Sequence, residues 1–233
     1  MVNKILKTSV AALSLIISIS SANVVAHEKG DLIVRAGIAK ADPDSSSNNL
    51  FVQQIGSIPN TNVTVDANTQ LGLTLTYMLT NHLGLELLAS SPFKHTATLQ
   101  GGSALALPNS LDVADVKHLP PTLSLQYFPL SSANRFQPYI GVGINYTIFF
   151  SEELNSQTEA ALGSGSVKLD NSLGLAFEIG ADFQLSDSLS LNMSVWKADI
   201  DTTAKIDLDV GLNLEADIDI DPMVYMIGLG FKL

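Results

Sequence analysis

The sequence predicts an all-β fold, an eight-stranded antiparallel transmembrane β-barrel, and three observations support this prediction. The 233 residues have a mean hydropathy of +0.26, which is high for a soluble domain. After residue 26, however, no stretch has the ~18 consecutive apolar residues of a membrane-spanning helix. Eight segments instead alternate apolar residues with small or polar ones. A closed barrel is the strand structure that leaves no backbone polar group unpaired in hydrocarbon.

The first four predicted strands share one pattern. Leu, Ile, Val or Tyr occupy one parity, and mostly Gly, Ser, Thr or an ionisable residue occupies the other. In chain order they are the segment that begins at Leu32, QLGLTLTYML over 70–79, LGLELLAS over 83–90 and TLSLQYF over 122–128. Because successive side chains of a strand point to opposite faces, each segment has one predominantly apolar face.

The last four predicted strands repeat the pattern. They are residues 140–148, SLGLAFEIGADF over 172–183, SLSLNMSVW over 188–196 and VYMIGLGFKL over 224–233. In the first of these, Ile140, Val142 and Ile144 alternate with Gly141 and Gly143. The total of eight is even, as in single-chain bacterial barrels.

The connections between these strands alternate in length. Short ones fall near residues 81–82, 129–135 and 186–188, and longer polar ones cover 43–63, 99–112, 151–166 and 203–216. Short periplasmic turns and long outer loops are typical of outer-membrane barrels, and this pattern predicts that both termini are periplasmic. Within one long loop, residues 152–162 are predicted to form a short helix.

Residues 1–26 are predicted to be a cleaved signal peptide, and residues 27–233 the barrel. Lys4 and Lys7 precede an apolar run over 10–19, and the small residues just before His27 suit signal peptidase. An N-terminal membrane anchor is the alternative, but the run is shorter than the ~20 residues of a spanning helix. An exported barrel of this kind is expected to be integral to the bacterial outer membrane.

Composition and charge exclude several classes of protein. The chain has 12 Lys and Arg residues and 23 Asp and Glu residues, so it is acidic. A nucleic-acid partner is not expected, because binding to phosphates requires basic patches. The absence of cysteine excludes a disulfide scaffold. The strands of a soluble β-sandwich or lipocalin-like barrel also alternate apolar and polar residues, but there the apolar face points inside. Parity alone does not decide between such a soluble fold and a membrane barrel. The signal peptide, the unequal connections and the small inward residues favour the membrane barrel.

Five stretches closely resemble the outer membrane protein W (OmpW) family. They are NTQLGLTLTYM (68–78), LGLELLASSPFKH (83–95), VKHLPPTLSLQY (116–127), PYIGVGINYTIFF (138–150) and LNMSVWKADIDTTA (191–204). The resemblance implies an eight-stranded outer-membrane barrel with a narrow, largely hydrophobic channel that admits small apolar molecules. The loops over 43–63 and 203–221 diverge from it.

Two kinds of side chain share the inward parity. Arg35, Glu86 and Glu178 are predicted to form an ion-paired plug, because a low-dielectric interior favours pairing of opposite charges. A gate for charged solutes is the alternative. Trp196, the only tryptophan, is also predicted to point inward and, with Leu88, to constrict an apolar passage, a placement that the family resemblance also suggests. Its alternative role is an anchor in an aromatic belt at the outer rim.

Pro120 and Pro121 begin the fourth predicted strand. Neither proline donates a ladder hydrogen bond, so the seam with the third strand is expected to be weak. One interpretation is a bulge where the barrel meets the outer surface. The other is a lateral exit through which a hydrophobic molecule leaves the lumen for the bilayer.

The loops suggest surface partners. Residues 206–221 alternate Asp or Glu with apolar residues, as in a hairpin that projects above the membrane. Its carboxylates are expected to form a solvated acidic face, with divalent cations that bridge lipopolysaccharide as the alternative. Outer-membrane lipid and lipopolysaccharide are expected to surround the barrel, and the exposed loops are natural attachment points for phages or bacteriocins.

No catalytic site, metal site or cofactor is predicted. The barrel contains His82, expected in a turn, His95, expected on the outward parity of Phe93, and His118, expected to face inward. A nucleophile elbow, a zinc motif and a phosphate-binding glycine loop are missing from the sequence. The sequence therefore does not predict an enzyme, and the family resemblance implies a channel for passive passage of small hydrophobic molecules. A surface receptor or adhesin, or an envelope-stabilising protein, is the alternative.

Overall fold

A computed structural model describes residues 26–233 of the chain, and most of them lie in β-strands. The strands are β1 (Leu32–Asp42), β2 (Ser46–Ser47), β3 (Phe51–Val52), β4 (Gly56–Ser57), β5 (Asn62–Val65), β6 (Asn68–Met78), β7 (Leu83–Ser90), β8 (Phe93–Gln100), β9 (Ser110–Leu119), β10 (Thr122–Tyr127), β11 (Phe136–Leu154), β12 (Gly165–Leu169), β13 (Ser172–Gln184), β14 (Leu189–Ala198), β15 (Asp201–Leu208), β16 (Asn213–Asp219) and β17 (Met223–Lys232). A 3-10 helix covers Gly102–Leu105, and helix α1 covers Ser156–Leu162. The predicted signal peptide lies, apart from Ala26, outside the described residues and stays a prediction.

Eight of these strands form a closed antiparallel ring. Its order is β1, β6, β7, β10, β11, β13, β14 and β17, and β17 pairs with β1 to close it. These eight strands overlap the eight predicted segments, so the predicted barrel fold is confirmed. No helix within residues 26–233 is long and apolar enough to cross a membrane.

The apolar face of the ring strands points outward. Leu71 and Ile179 are each 69% exposed, and their neighbours on the same parity form a continuous band. We call this band the apolar belt; it includes Leu87, Leu123, Ile144, Phe177, Met193 and Ile227. Polar residues of the opposite parity, such as Gln126 and Asn192, are fully buried inside. This arrangement is the reverse of a soluble barrel, which excludes that alternative.

The two ends of the barrel differ. At one end, here called the turn end, short connections join the ring strands, and both ends of the described chain lie there: Ala26 donates to the Ser132 carbonyl, and Leu233 to that of Leu32. At the other, the loop end, the remaining strands build on the ring. Strand β9 pairs with the part of β11 nearest the loop end, residues 148–154. A separate sheet has the order β12-β15-β16-β3-β4.

The connections predicted as long and polar over 43–63, 99–112, 151–166 and 203–216 contain short strands, the 3-10 helix and α1, and the predicted hairpin within 206–221 is formed by β15 and β16. The alternation continues beyond the apolar belt, but there the apolar face turns inward. One buried apolar cluster contains Ile206, Leu214, Ile218, Val167 and Leu99. These side chains therefore contact one another, whereas in an open loop they would contact water. The predicted helix over 152–162 is shorter, because β11 continues to Leu154 and the Asn155 side chain then caps α1 by accepting from the Gln157 amide.

Candidate functional site in the barrel lumen

The lumen is filled in layers. Nearest the turn end, four side chains form a small apolar cluster: Ile33, Met78, Phe128 and Tyr139. The His27 ring lies edge-on to Phe128 with ring centres 5.0 Å apart. All of these side chains are buried, so the lumen is closed by protein at this level.

Above this cluster lies an ionic layer centred on Arg35, which is 0% exposed. Its Nε and Nη2 atoms donate to the two carboxylate oxygens of Asp182 at 3.0 and 2.6 Å. Its Nη1 donates to Glu86 at 3.0 Å and to the Thr76 hydroxyl at 2.6 Å. A bidentate guanidinium–carboxylate pair is among the strongest polar contacts in proteins and fixes both side chains.

Further hydrogen bonds extend this layer across the lumen. The Asn192 amide donates to Asp182 at 2.8 Å, and His27 Nε2 lies 3.0 Å from the same carboxylate. The ion pair predicted for Glu178 is not formed within the described residues; Glu178 accepts instead from the Gln126 amide at 3.0 Å. We call this layer (Arg35, Thr76, Glu86, Gln126, Glu178, Asp182 and Asn192) the polar plug.

Asp182 is the central acid of the polar plug that the sequence reasoning missed. It lies on the same parity as Glu178 in the predicted sixth strand, so that parity could have revealed it. Gly180, between them, faces Tyr139 in the neighbouring strand, and any side chain there would clash with the tyrosine ring. Glycine therefore leaves room for that ring, whose centre lies 5.2 Å from the Arg35 guanidinium.

The next layer towards the loop end is apolar. Leu88 and Trp196 are 7% and 2% exposed, and they belong to one buried cluster with Ala39, Phe93 and Met226. Trp196 therefore lies inside the barrel, and the alternative of a belt anchor at the rim does not hold. Leu88 and Trp196 also line a single narrow cavity, here called the inner cavity.

The inner cavity lies beside the discontinuity between β7 and β10. Ladder pairing ends at Thr122 with Leu88 and resumes at His118 with Phe93, so Pro120 and Pro121 have no ladder partner on the β7 side. Both proline carbonyls are held from the opposite side: Tyr146 donates its backbone amide to Pro121, and Asn145 its side-chain amide to Pro120. We call this discontinuity the seam. Pro120 itself lines the inner cavity.

Two further cavities continue towards the loop end. A middle cavity shares His118 with the inner cavity and is also lined by His95 and Phe149. An outer cavity of about 60 Å³ shares Ala97 and Val116 with the middle one. Its walls are almost entirely Leu, Val, Ile and Ala side chains. The three cavities form a series from the loop end down to the polar plug.

His95 and His118 separate the inner and outer cavities. The expectation that His95 and Phe93 face outward is wrong: both are buried, because β7 ends at Ser90 and the parity changes before β8 begins at Phe93. The two imidazole rings are stacked with centres 4.9 Å apart. Lys94 and Lys117 are backbone ladder partners at the level of the two histidines, and both lysine side chains point outward. The two histidines therefore lie outside the apolar belt.

Burial, together with the nearby His95, lowers the pKa of His118 to about 3. Burial also lowers the pKa of His95, against the opposing effect of Asp66. The folded barrel therefore holds the pair neutral at pH 7.

Acidification is expected to destabilise the protein through this pair. A histidine whose folded pKa lies below its unfolded value of about 6.5 contributes its full stability above pH 6.5 and loses it as the pH falls below that value. For His118 alone, the free energy of unfolding should fall by about 2 kcal/mol between pH 7.5 and 5. Urea unfolding at both pH values measures this loss, and His118→Phe should reduce it. An equal loss in wild type and His118→Phe would contradict the assignment.

The acidic hairpin is formed by β15 and β16, with its tip at residues 209–212. The apolar strand residues Ile206, Leu214 and Ile218 are buried, and Asp207, Glu215 and Asp217 are exposed, as expected for a solvated acidic face. At its base, the carboxylates of Asp199, Asp201 and Asp221 bring oxygens within 4.8 Å of one another. Partial burial, followed by repulsion from the neighbouring carboxylates, raises the pKa of Asp201.

Comparison with known proteins supports this architecture. Residues 28–233 match the model of the OmpW family. The chain is 42% identical over 227 residues to outer membrane protein W of Vibrio cholerae, covering 97% of this chain and 100% of that protein. The crystal structure of OprG from Pseudomonas aeruginosa superposes with a TM-score of 0.83 at 44% identity, covering 90% of this chain and 99% of that one.

A further structure agrees with these matches. The solution structure of Escherichia coli outer membrane protein W has a TM-score of 0.56 at 38% identity and covers 89% of this chain and 100% of that one. These relatives are outer-membrane proteins, and the matching family model is not that of a catalytic family. This chain is therefore an outer-membrane β-barrel and belongs to the OmpW family.

Proposed function

We propose that the protein passes small hydrophobic molecules passively across the outer membrane, without catalysis or a cofactor. The observation that carries this proposal is the series of three apolar cavities that leads from the loop end to Leu88 and Trp196. An apolar solute gains free energy on leaving water for such walls, about 25 cal/mol per Å² of buried surface. Ions and water gain nothing comparable, since a dry apolar constriction excludes them.

The polar plug directs the route sideways. Arg35, Gln126, Asp182 and Asn192 are each 0% exposed, and an apolar molecule would have to break their hydrogen bonds to continue along the barrel axis. The seam lies beside the inner cavity, and there the ladder already lacks hydrogen bonds. The proposed route therefore leaves the lumen at Pro120 and Pro121 and enters the bilayer, from which the solute completes its passage by diffusion. This favours a lateral exit over a bulge without function.

The proposed orientation places the loop end outside the cell and the turn end, with both termini, in the periplasm. It follows from the short connections at the turn end and from the predicted signal peptide. In this orientation the acidic loop end faces lipopolysaccharide, and its exposed strands are the surface that phages or bacteriocins would meet.

Blocking the inner cavity should abolish transport. Leu88→Trp adds bulk where Leu88 already contacts the buried cluster, so uptake of a small apolar solute should fall at least about tenfold, to the level of cells without the protein. The matched control is Leu87→Trp, one residue away and 46% exposed in the apolar belt, where tryptophan is tolerated. Radiolabelled-solute uptake by cells with equal surface levels of each variant measures the difference.

Two results would contradict the transport proposal. Uptake that is equal with and without the protein would favour the surface roles, a receptor or adhesin or an envelope-stabilising protein. Equal uptake through Leu88→Trp and Leu87→Trp would exclude the lumen as the route.

A further inference from the structure

The inner cavity has apolar walls but contains unused hydrogen-bonding groups. Within residues 26–233, six buried side-chain nitrogen or oxygen atoms have no hydrogen-bond partner in the protein. Three of the six belong to residues that line this one cavity: Ser90 Oγ, His118 Nδ1 and Trp196 Nε1. A buried polar atom without a partner in the protein costs stability, so three around one narrow space make it a candidate site for a ligand with a polar atom.

These three groups define the chemistry of their partner. The Trp196 indole N–H only donates, so it requires an acceptor. The Ser90 hydroxyl both donates and accepts, and a neutral histidine presents one donor and one acceptor nitrogen. An oxygen atom of a hydroxyl or carbonyl group satisfies such a set, whereas a hydrocarbon satisfies none of it.

The charges around the cavity select an uncharged partner. No Lys, Arg, Asp or Glu side chain lines it among the described residues. The nearest layer, the polar plug, contains Arg35, whose guanidinium already donates to Asp182, Glu86 and Thr76. A carboxylate or an ammonium ion in the inner cavity would be buried without a counter-charge, at a large cost in free energy.

We propose that the inner cavity binds small uncharged hydrophobic molecules that carry one hydroxyl or carbonyl oxygen, such as medium-chain alcohols, aldehydes, ketones or esters. Ser90, His118 and Trp196 hold the oxygen, and the alkyl part contacts Leu88, Phe93 and Val224. This inference rests on the proposed function and narrows its substrate class.

The single tryptophan gives a direct test. In the mature chain reconstituted in lipid vesicles, where no other protein adds tryptophan, the emission of Trp196 reports binding beside its own ring. Titration with 1-octanol and with n-octane compares two solutes of equal carbon number that differ by the oxygen. We expect a red shift with octanol, as the indole N–H gains an acceptor, and a weaker response without a red shift with octane.

Variants assign the preference to this site. Ser90→Ala and His118→Phe should each reduce the ratio of octanol to octane affinity by about fivefold, the effect of one hydrogen bond. Ser194→Ala is the matched control, because its lumen hydroxyl is already partnered with Asn192 at 3.2 Å and does not line the inner cavity. The ratio should stay at the wild-type value in that variant.

The outcomes separate this inference from the transport proposal. An affinity ratio that is the same in wild type, Ser90→Ala and His118→Phe would overturn the assigned site, even where cells take up both solutes through the protein. A ratio that falls only in those two variants supports the site. If protein-dependent uptake is then missing for both solutes, the transport proposal fails while the binding site stands.

Discussion

Replacement of Arg35 by methionine is expected to lower the free energy of unfolding by about 3–5 kcal/mol. The substitution keeps the length of the side chain but removes the only guanidinium in the polar plug. Asp182 then loses its bidentate partner, and Glu86 its single ion pair, while both stay buried. An uncompensated buried carboxylate costs far more than an exposed one. Urea unfolding of the refolded barrel in detergent micelles measures the loss.

Two variants test whether the position, and not the charge alone, causes this loss. Lys40→Met removes an ion pair to Asp42 whose side chains are 48% and 45% exposed, and it should cost less than about 1 kcal/mol. Arg35→Lys keeps the charge but cannot donate to both oxygens of Asp182 in the same plane, so an intermediate loss is expected. A loss below 1 kcal/mol in Arg35→Met would show that the polar plug does not stabilise the barrel.

A covalent bridge across the seam is expected to reduce solute uptake at least about tenfold. The chain has no cysteine, so Ala89→Cys with Pro121→Cys can be joined selectively by a short crosslinker that forms a disulfide bond with each thiol. These positions flank the interval where ladder pairing between β7 and β10 is interrupted. Because the proposed route passes between them, the bridge should block exit until a reducing agent cleaves it. Uptake before crosslinking, after crosslinking and after reduction is the measurement.

The control bridge joins the same two strands where they are already paired. Leu87 and Leu123 are ladder partners in the apolar belt, so Leu87→Cys with Leu123→Cys adds a link without closing any opening. Uptake should stay at the uncrosslinked level. Unchanged uptake across the bridged seam would exclude the lateral exit and favour the interpretation of the prolines as a bulge.

The amino-acid pattern alone was enough to predict the barrel and most of its wall. Period-two alternation in eight segments gave the strands, and the side-chain period assigned Arg35, Glu86, Leu88 and Trp196 to the lumen before any coordinate was known. The assignment was correct because lipid contact requires an apolar residue at every outward position within the apolar belt. Where that requirement ends, as at Phe93 and His95, parity reasoning failed, since the irregular residues at Ser91 and Pro92 shift the faces.

Only the tertiary structure decided which side chains meet across the lumen. Parity placed Glu178 and Asp182 on the same side of one strand, but ring closure and register brought Asp182, and not Glu178, into contact with Arg35. Closure also brought Ser90, His118 and Trp196, on three different strands, around one cavity. A single strand fixes the direction of its side chains, whereas contacts between strands depend on register and on closure of the whole ring, which no local pattern contains.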